Sequence, residues 1–162
     1  FSPYHNSSWS KDRLTGLMNS GLEVIAFTDD EYASPWDYKE IARQRVSRFS
    51  VESYARNLVK KKLLQFAKNV PEDCNCWVCV NDEVAGIFYE MSDDGDCTLP
   101  GDKTDPNVLG FDNSAESYLL RIASYDFNTS ALIKQIFYYI ENPDGFGNKK
   151  RLHQILGQVI EK

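Results

Sequence analysis

The sequence predicts a single α+β domain, in which a small and mostly antiparallel sheet is packed by amphipathic helices. A chain of 162 residues with 42% hydrophobic and 13% aromatic residues can bury one sizeable core. Apolar residues recur at helical spacing in several segments, and the shorter apolar runs between them are typical of strands. Two such runs flank Asn81 and Asp82, which favour a two-residue turn, so we expect a central β-hairpin.

Capping residues mark where four of the predicted helices begin. Ser34 stands before a proline, which is favoured in the first turn of a helix, and Asn128 precedes an apolar stripe with helical spacing. Ser10 and Ser50 begin two further helices, and the second of these carries the strongest apolar stripe. Residues 148–162 show the same spacing, so we expect a fifth amphipathic helix there.

The strands are expected between these helices. Residues 22–28 are apolar on both faces of a strand, and residues 117–127 form another candidate. Both faces of the predicted hairpin are largely apolar, which favours a central position in a sheet that is covered on both sides. Residues 92–113 are dense in aspartate, glycine and proline, and they predict a long acidic loop.

Charge is unevenly distributed along the chain. The formal net charge is −6, yet residues 39–68 contain nine basic residues and only two acidic ones. A face of this kind is either solvated or contacts phosphates or an acidic partner. Four cations lie opposite or beside the apolar stripe of the predicted helix: Arg56, Lys60, Lys61 and Lys68.

Lys62 differs from these four, because it falls near the middle of the apolar arc. Its side chain can extend past Phe66 to solvent, pair with a buried carboxylate, or mark the point where the helix leaves the core. The sequence alone does not separate these three explanations.

Three of the four cysteines are clustered, which raises the question of a metal site. Cys76 and Cys79 have Cys-x-x-Cys spacing, and Cys74 lies two residues earlier. The intervening residues favour a strand, on which Cys74 and Cys76 would point to one face and Cys79 to the other. Thiolates on opposite faces cannot share one tetrahedral ion, and a thioredoxin-like pair would have to open a helix. We therefore predict buried cysteines without metal, in a reducing compartment.

No other pattern predicts catalysis or a bound ion. The acidic loop contains Asp93, Asp94 and Asp96, but it lacks the spacing and the distal glutamate of an EF-hand. His5 and His153 are far apart in sequence, and no nucleophile motif accompanies either of them. We expect no catalytic residue, no metal ligand, no cofactor and no small-molecule ligand.

A loop that contains Gly145 and Gly147 precedes the last predicted helix, and three cations follow it. A helix that begins there would present backbone amides to a phosphate, whereas glycine at this position also serves to end the preceding helix. Together with Leu152, the two glycines resemble the pyrophosphate-binding loop of GNAT acetyltransferases. The order of a strand, two helices and a hairpin is similar to the first half of that fold. This resemblance implies an acyl-CoA-dependent N-acyltransferase of partial GNAT type.

We interpret residues 1–162 as a non-catalytic interaction domain, excised from a larger protein such as a viral polymerase-type protein that handles nucleic acid. Nucleic acid or another acidic partner is the expected ligand, and other domains of the parent protein are expected partners. The predicted contact residues are Arg56, Lys60, Lys61, Lys68, Lys149, Lys150 and Arg151. The alternatives are the GNAT-like transferase and an inhibitor whose acidic loop imitates nucleic acid.

No apolar run is long enough to span a membrane, so we expect a cytoplasmic protein without membrane contact.

Overall fold

The structure is a computed structural model that describes residues 1–45, 51–71, 73–95, 101–102, 105–143 and 154–162. The helices among these residues are α1 Ser8–Met18, α2 Pro35–Arg45, α3 Val51–Ala67, α4 Asp82–Asp93, α5 Ala115–Leu119 and α6 Thr129–Glu141. The strands are β1 Trp77–Val78, β2 Gly101–Asp102, β3 Asp105–Pro106, β4 Val108–Phe111, β5 Ala123–Asp126 and β6 Gln158–Ile160. Helices and strands are thus combined as predicted, and the α+β class is confirmed at this level.

Four of the strands form one sheet in the order β1-β4-β5-β6. The pairs β1/β4 and β4/β5 are parallel, and β6 is antiparallel to β5. β2 and β3 form a separate antiparallel pair. The prediction of a mostly antiparallel sheet is therefore wrong, because the sheet is mixed and two of its three pairings are parallel.

The predicted central hairpin is also wrong, and this error explains the wrong strand directions. Asn81 does not turn the chain back; its side-chain oxygen accepts a hydrogen bond from the Val84 nitrogen at 2.9 Å and caps α4. Asp82 and Glu83 then place two carboxylates in the first turn, where the helix dipole favours negative charge. Because α4 lies between β1 and β4 along the chain, it serves as a crossover that brings β4 back parallel to β1.

Four of the predicted helices are confirmed, with small shifts at their ends. α1 begins at Ser8 instead of Ser10, because Ser7 is the N-cap and accepts a hydrogen bond from the Ser10 nitrogen at 3.3 Å. α2 begins at the predicted proline, and α3 covers the predicted stripe. Asn128 caps α6 by accepting a hydrogen bond from the Ala131 nitrogen at 3.3 Å.

Four further predicted elements differ from the structure. Residues 92–113, predicted as one long loop, contain the end of α4 and the strands β2, β3 and β4. Residues 22–28 form no strand, although Thr28 makes an isolated parallel bridge with Ser2. Residues 117–127 divide between the end of α5 and β5. Residues 154–162 contain β6 where a helix was expected, and residues 144–153 lie outside the described part of the chain.

The core lies between the sheet and helices α3 and α4. The buried side chains of these two helices include Ala55, Val59, Leu63, Val84, Ile87, Phe88 and Met91. Trp77 of β1 packs on Phe88 with 4.3 Å between ring centroids. No helix in the described ranges has both the length and the apolar character needed to cross a membrane.

Candidate interaction surfaces

Arg56 is a predicted contact residue that the structure holds inside the domain. Its Nη2 atom donates to Glu90 Oε1 at 2.7 Å, and its Nη1 atom donates to Glu116 Oε1 at 3.3 Å. Burial disfavours the charged guanidinium, but the hydrogen bond with Glu90 and the charges of both glutamates outweigh it and raise the pKa of Arg56. Arg56 therefore joins α3 to α4 and α5, and it is not free for a phosphate.

Two further lysines of α3 are also paired. Lys60 Nζ lies 3.3 Å from Asp94 Oδ2 and 4.0 Å from Glu90 Oε2. Lys62 Nζ lies 2.7 Å from Asp29 Oδ2 and 2.9 Å from a carboxylate oxygen of Glu31. Of the three explanations for Lys62, pairing with carboxylates is the one that the structure shows.

Lys61 and Lys68 are exposed, and they have no ion-pair partner among the described residues. They stand seven positions apart on α3 or directly after it, so they share one side of the helix. Lys149, Lys150 and Arg151 lie outside the described residues. The structure thus divides the predicted contact set: two members are in ion pairs, two face solvent, and three are not described.

The cysteine segment leads into β1, but this strand is limited to Trp77 and Val78 and contains none of the three cysteines. The prediction that the cysteines are buried is confirmed for Cys79 and is wrong for Cys76. Cys79 is fully buried and Cys76 is exposed, while Cys74 is half-buried. Burial raises the pKa of the Cys79 thiol to about 11, so this thiol is protonated near neutral pH. Across the described ranges, no group of three or more histidine, cysteine, aspartate or glutamate side chains is placed to hold a metal ion. The expectation of a metal-free segment stays a prediction.

The carboxyl ends of β1 and β4 open onto a crevice of about 700 Å³, which is where parallel sheets commonly bind ligands. Asp82 is almost completely buried beside it. The two carboxylate oxygens of Asp82 accept hydrogen bonds from Ser124 Oγ and from the Ser114 nitrogen, both at 2.6 Å. The carboxylate therefore ties the start of α4 to β5 and to the start of α5.

Other polar side chains at the carboxyl edge of the sheet also form hydrogen bonds within the protein. Arg13 donates to the Val80 carbonyl and, at 2.6 Å, to Asp112 Oδ1. Lys162 Nζ donates to Asn113 Oδ1 at 2.8 Å. Ser114, which lines the crevice, is not hydrogen-bonded to a histidine among the described residues; its nitrogen donates to Asp82 and its carbonyl accepts from Ser117. The network holds loops together.

The apolar stripe of α6 faces away from the domain. Its large apolar side chains are between 47% and 68% exposed: Leu132, Ile133, Ile136, Phe137, Tyr138 and Ile140. The half-buried positions of α6 include Ala131, Gln135 and Tyr139, which recur every four residues. The side of α6 that these three residues share is thus less exposed than its apolar stripe.

Sequence reasoning found this stripe but assigned it to the core. Helical periodicity identifies an apolar face without showing what covers it. One feature of the sequence distinguishes α6 from a helix that packs with one face on a domain core. No polar face opposes its apolar stripe, since Lys134 is the single charged residue between Thr129 and Ile140. A helix that is apolar on most of its circumference is typical of one buried on several sides.

Comparison of the chain with protein-family models, with curated proteins and with solved structures finds no match.

Proposed function

We propose that this chain is a non-catalytic interaction domain that pairs with a second copy of itself through α6. The observation that carries the proposal is the outward stripe formed by Ile133, Ile136, Phe137 and Ile140. Monomeric proteins rarely expose a contiguous apolar face of this kind, and covering it is worth roughly 25 cal/mol for each Å² removed from water. Leu156 is also exposed, and its carbonyl accepts a hydrogen bond from the Asn128 side chain at the start of α6.

A second copy suits this stripe because the stripe is complementary to itself. In an antiparallel pair with its two-fold axis between Ile136 and Phe137, Ile133 of one copy faces Ile140 of the other. Ile136 then faces Phe137 across the same axis. Lys134 lies to one side of the stripe at 100° per residue, so the contact requires no oppositely charged partner.

Analytical ultracentrifugation tests this proposal. Sedimentation velocity from about 1 to 100 µM should show a monomer–dimer equilibrium with a micromolar dissociation constant. Ile136→Glu should shift the protein to monomer, because pairing would bury an unpaired carboxylate. Leu119→Glu is the matched control: Leu119 is 83% exposed on α5, away from the stripe, and its replacement should leave the equilibrium unchanged. A native protein that stays monomeric throughout, or an Ile136→Glu protein that dimerises equally well, would contradict the proposal.

Contact with nucleic acid or an acidic partner is the second candidate function. Among the described residues, the surface that remains for this contact is the outer side of α3. Lys61 and Lys68 are the members of the predicted set that are both described and free of carboxylate partners. Two exposed lysines in a chain of net charge −6 supply limited attraction to phosphates, so this candidate ranks second.

A salt titration separates this candidate from a solvated helix. Changing Lys61 and Lys68 together to glutamate should flatten the slope of log K against log salt by roughly 1.4–1.8, since each phosphate contact contributes about 0.7–0.9. The matched control changes Lys11 and Arg121, which are exposed elsewhere, to glutamate and so alters net charge equally. Binding that is absent at low salt, or that both double variants weaken equally, removes this candidate.

The transferase alternative draws no support from the described residues. The segment before Asn142 is a helix, α6, where the GNAT loop follows a strand. Residues 154–162 contain β6 and no helix, and Gly145 and Gly147 lie outside the described part of the chain. The inhibitor alternative, the viral parent protein and the cytoplasmic location stay predictions.

A further inference from the structure

We draw no further inference here: the strongest candidate, the crevice at the carboxyl ends of β1 and β4 that Glu52, Glu83, Glu90 and Glu116 line, is a cluster of acidic side chains for which nothing else among the described residues points to a ligand, since the buried carboxylate of Asp82 beside it is already hydrogen-bonded to Ser114 and Ser124.

Discussion

At the level of single residues, Asp82 and Gly110 show how closely the carboxyl edge of the sheet is built. The Asp82 side chain crosses β4 to reach Ser124 on β5. A Cβ atom at Gly110 would lie 2.1 Å from Asp82 Oδ1 and 3.1 Å from Asp82 Cα. Only glycine leaves room for the Asp82 carboxylate at this position. The hydrogen bonds that join α4 to β5 and to the start of α5 therefore depend on the absence of a side chain at Gly110.

Gly110→Ala should therefore lower the free energy of unfolding by about 2–3 kcal/mol, because Asp82 must move and lose its partners. Gly16→Ala is the matched control. A Cβ atom at Gly16 in α1 meets no atom within 4 Å, and alanine favours a helix, so stability should rise by about 0.5–1 kcal/mol. Urea denaturation of both variants measures the difference. Similar small effects from the two substitutions would show that the Asp82 network is not rigid.

At the level of elements, the errors of prediction are concentrated where one residue pattern suits two structures. Asn81 and Asp82 favour a tight turn, but the same residues favour a helix start. After them, Val84, Ile87 and Met91 have helical spacing, which is the signal that identifies α4. High strand propensity in this segment favoured a strand, and burial of the helix on both the sheet and α3 explains why so many of its residues are apolar.

The helices α2, α3 and α6 were predictable, because each combines a capping residue or proline with a continuous apolar stripe. The strands were less predictable, since β1 and β6 contain two and three residues and are defined mainly by their partners. The candidate surfaces were least predictable. The direction in which α6 faces does not follow from local sequence, because it depends on how distant segments are placed.

Some cations of α3 form ion pairs within the protein and others are exposed to solvent. Replacing a paired cation should therefore lower the stability of the fold more than replacing an exposed one. Arg56→Met should lower the free energy of unfolding by about 1–2 kcal/mol, because Glu90 and Glu116 lose a charged hydrogen-bond donor between three helices. Lys61→Met is the matched control on the same helix, and it should change stability by less than about 0.5 kcal/mol because Lys61 is exposed. Guanidinium denaturation compares the two. An equal loss of unfolding free energy in both variants would mean that the ion pairs of Arg56 contribute no more to stability than an exposed lysine does.

At the level of the whole molecule, folding neutralises part of the charge asymmetry that the sequence shows. The basic helix α3 contacts acidic residues elsewhere in the chain through Arg56 and Lys60, which share Glu90, and through Lys62, which pairs with Asp29 and Glu31. A basic segment in an acidic chain therefore does not by itself indicate an acidic partner, since the chain can supply that partner itself. Among the described residues, large apolar side chains of α6 stay exposed, and burying them does not depend on charge.

The same ion pairs should make stability depend on pH in the acidic range. Burial is the largest single influence on Asp29 and raises its pKa, but the hydrogen bond from Lys62, the backbone hydrogen bond from Glu31 and the charge of Lys62 together outweigh it, so the net pKa lies below the ordinary 3.8. The hydrogen bond from Lys62 also lowers the pKa of Glu31 from its ordinary 4.5. A carboxyl group whose pKa is lower in the folded state contributes stability that is present above its unfolded pKa and is lost as the pH falls through its folded pKa.

We therefore expect Lys62→Gln to be less stable than the native protein near neutral pH and to lose less stability on acidification. Without Lys62, the folded-state pKa values of Asp29 and Glu31 rise, because its hydrogen bonds and charge no longer lower them, so the stability that depends on the two ionised carboxylates shrinks. Denaturant titrations between about pH 6 and about pH 3 should show native and variant stabilities converging as both carboxylates become protonated. Lys61→Gln is the control, because Lys61 is exposed and has no ion-pair partner in the part of the chain that the structure describes, so its replacement should leave the acid dependence of stability unchanged. If the native and Lys62→Gln curves stay parallel over this range, the loss caused by the substitution comes from the contact of Lys62 with the Tyr32 ring and not from its carboxylate partners.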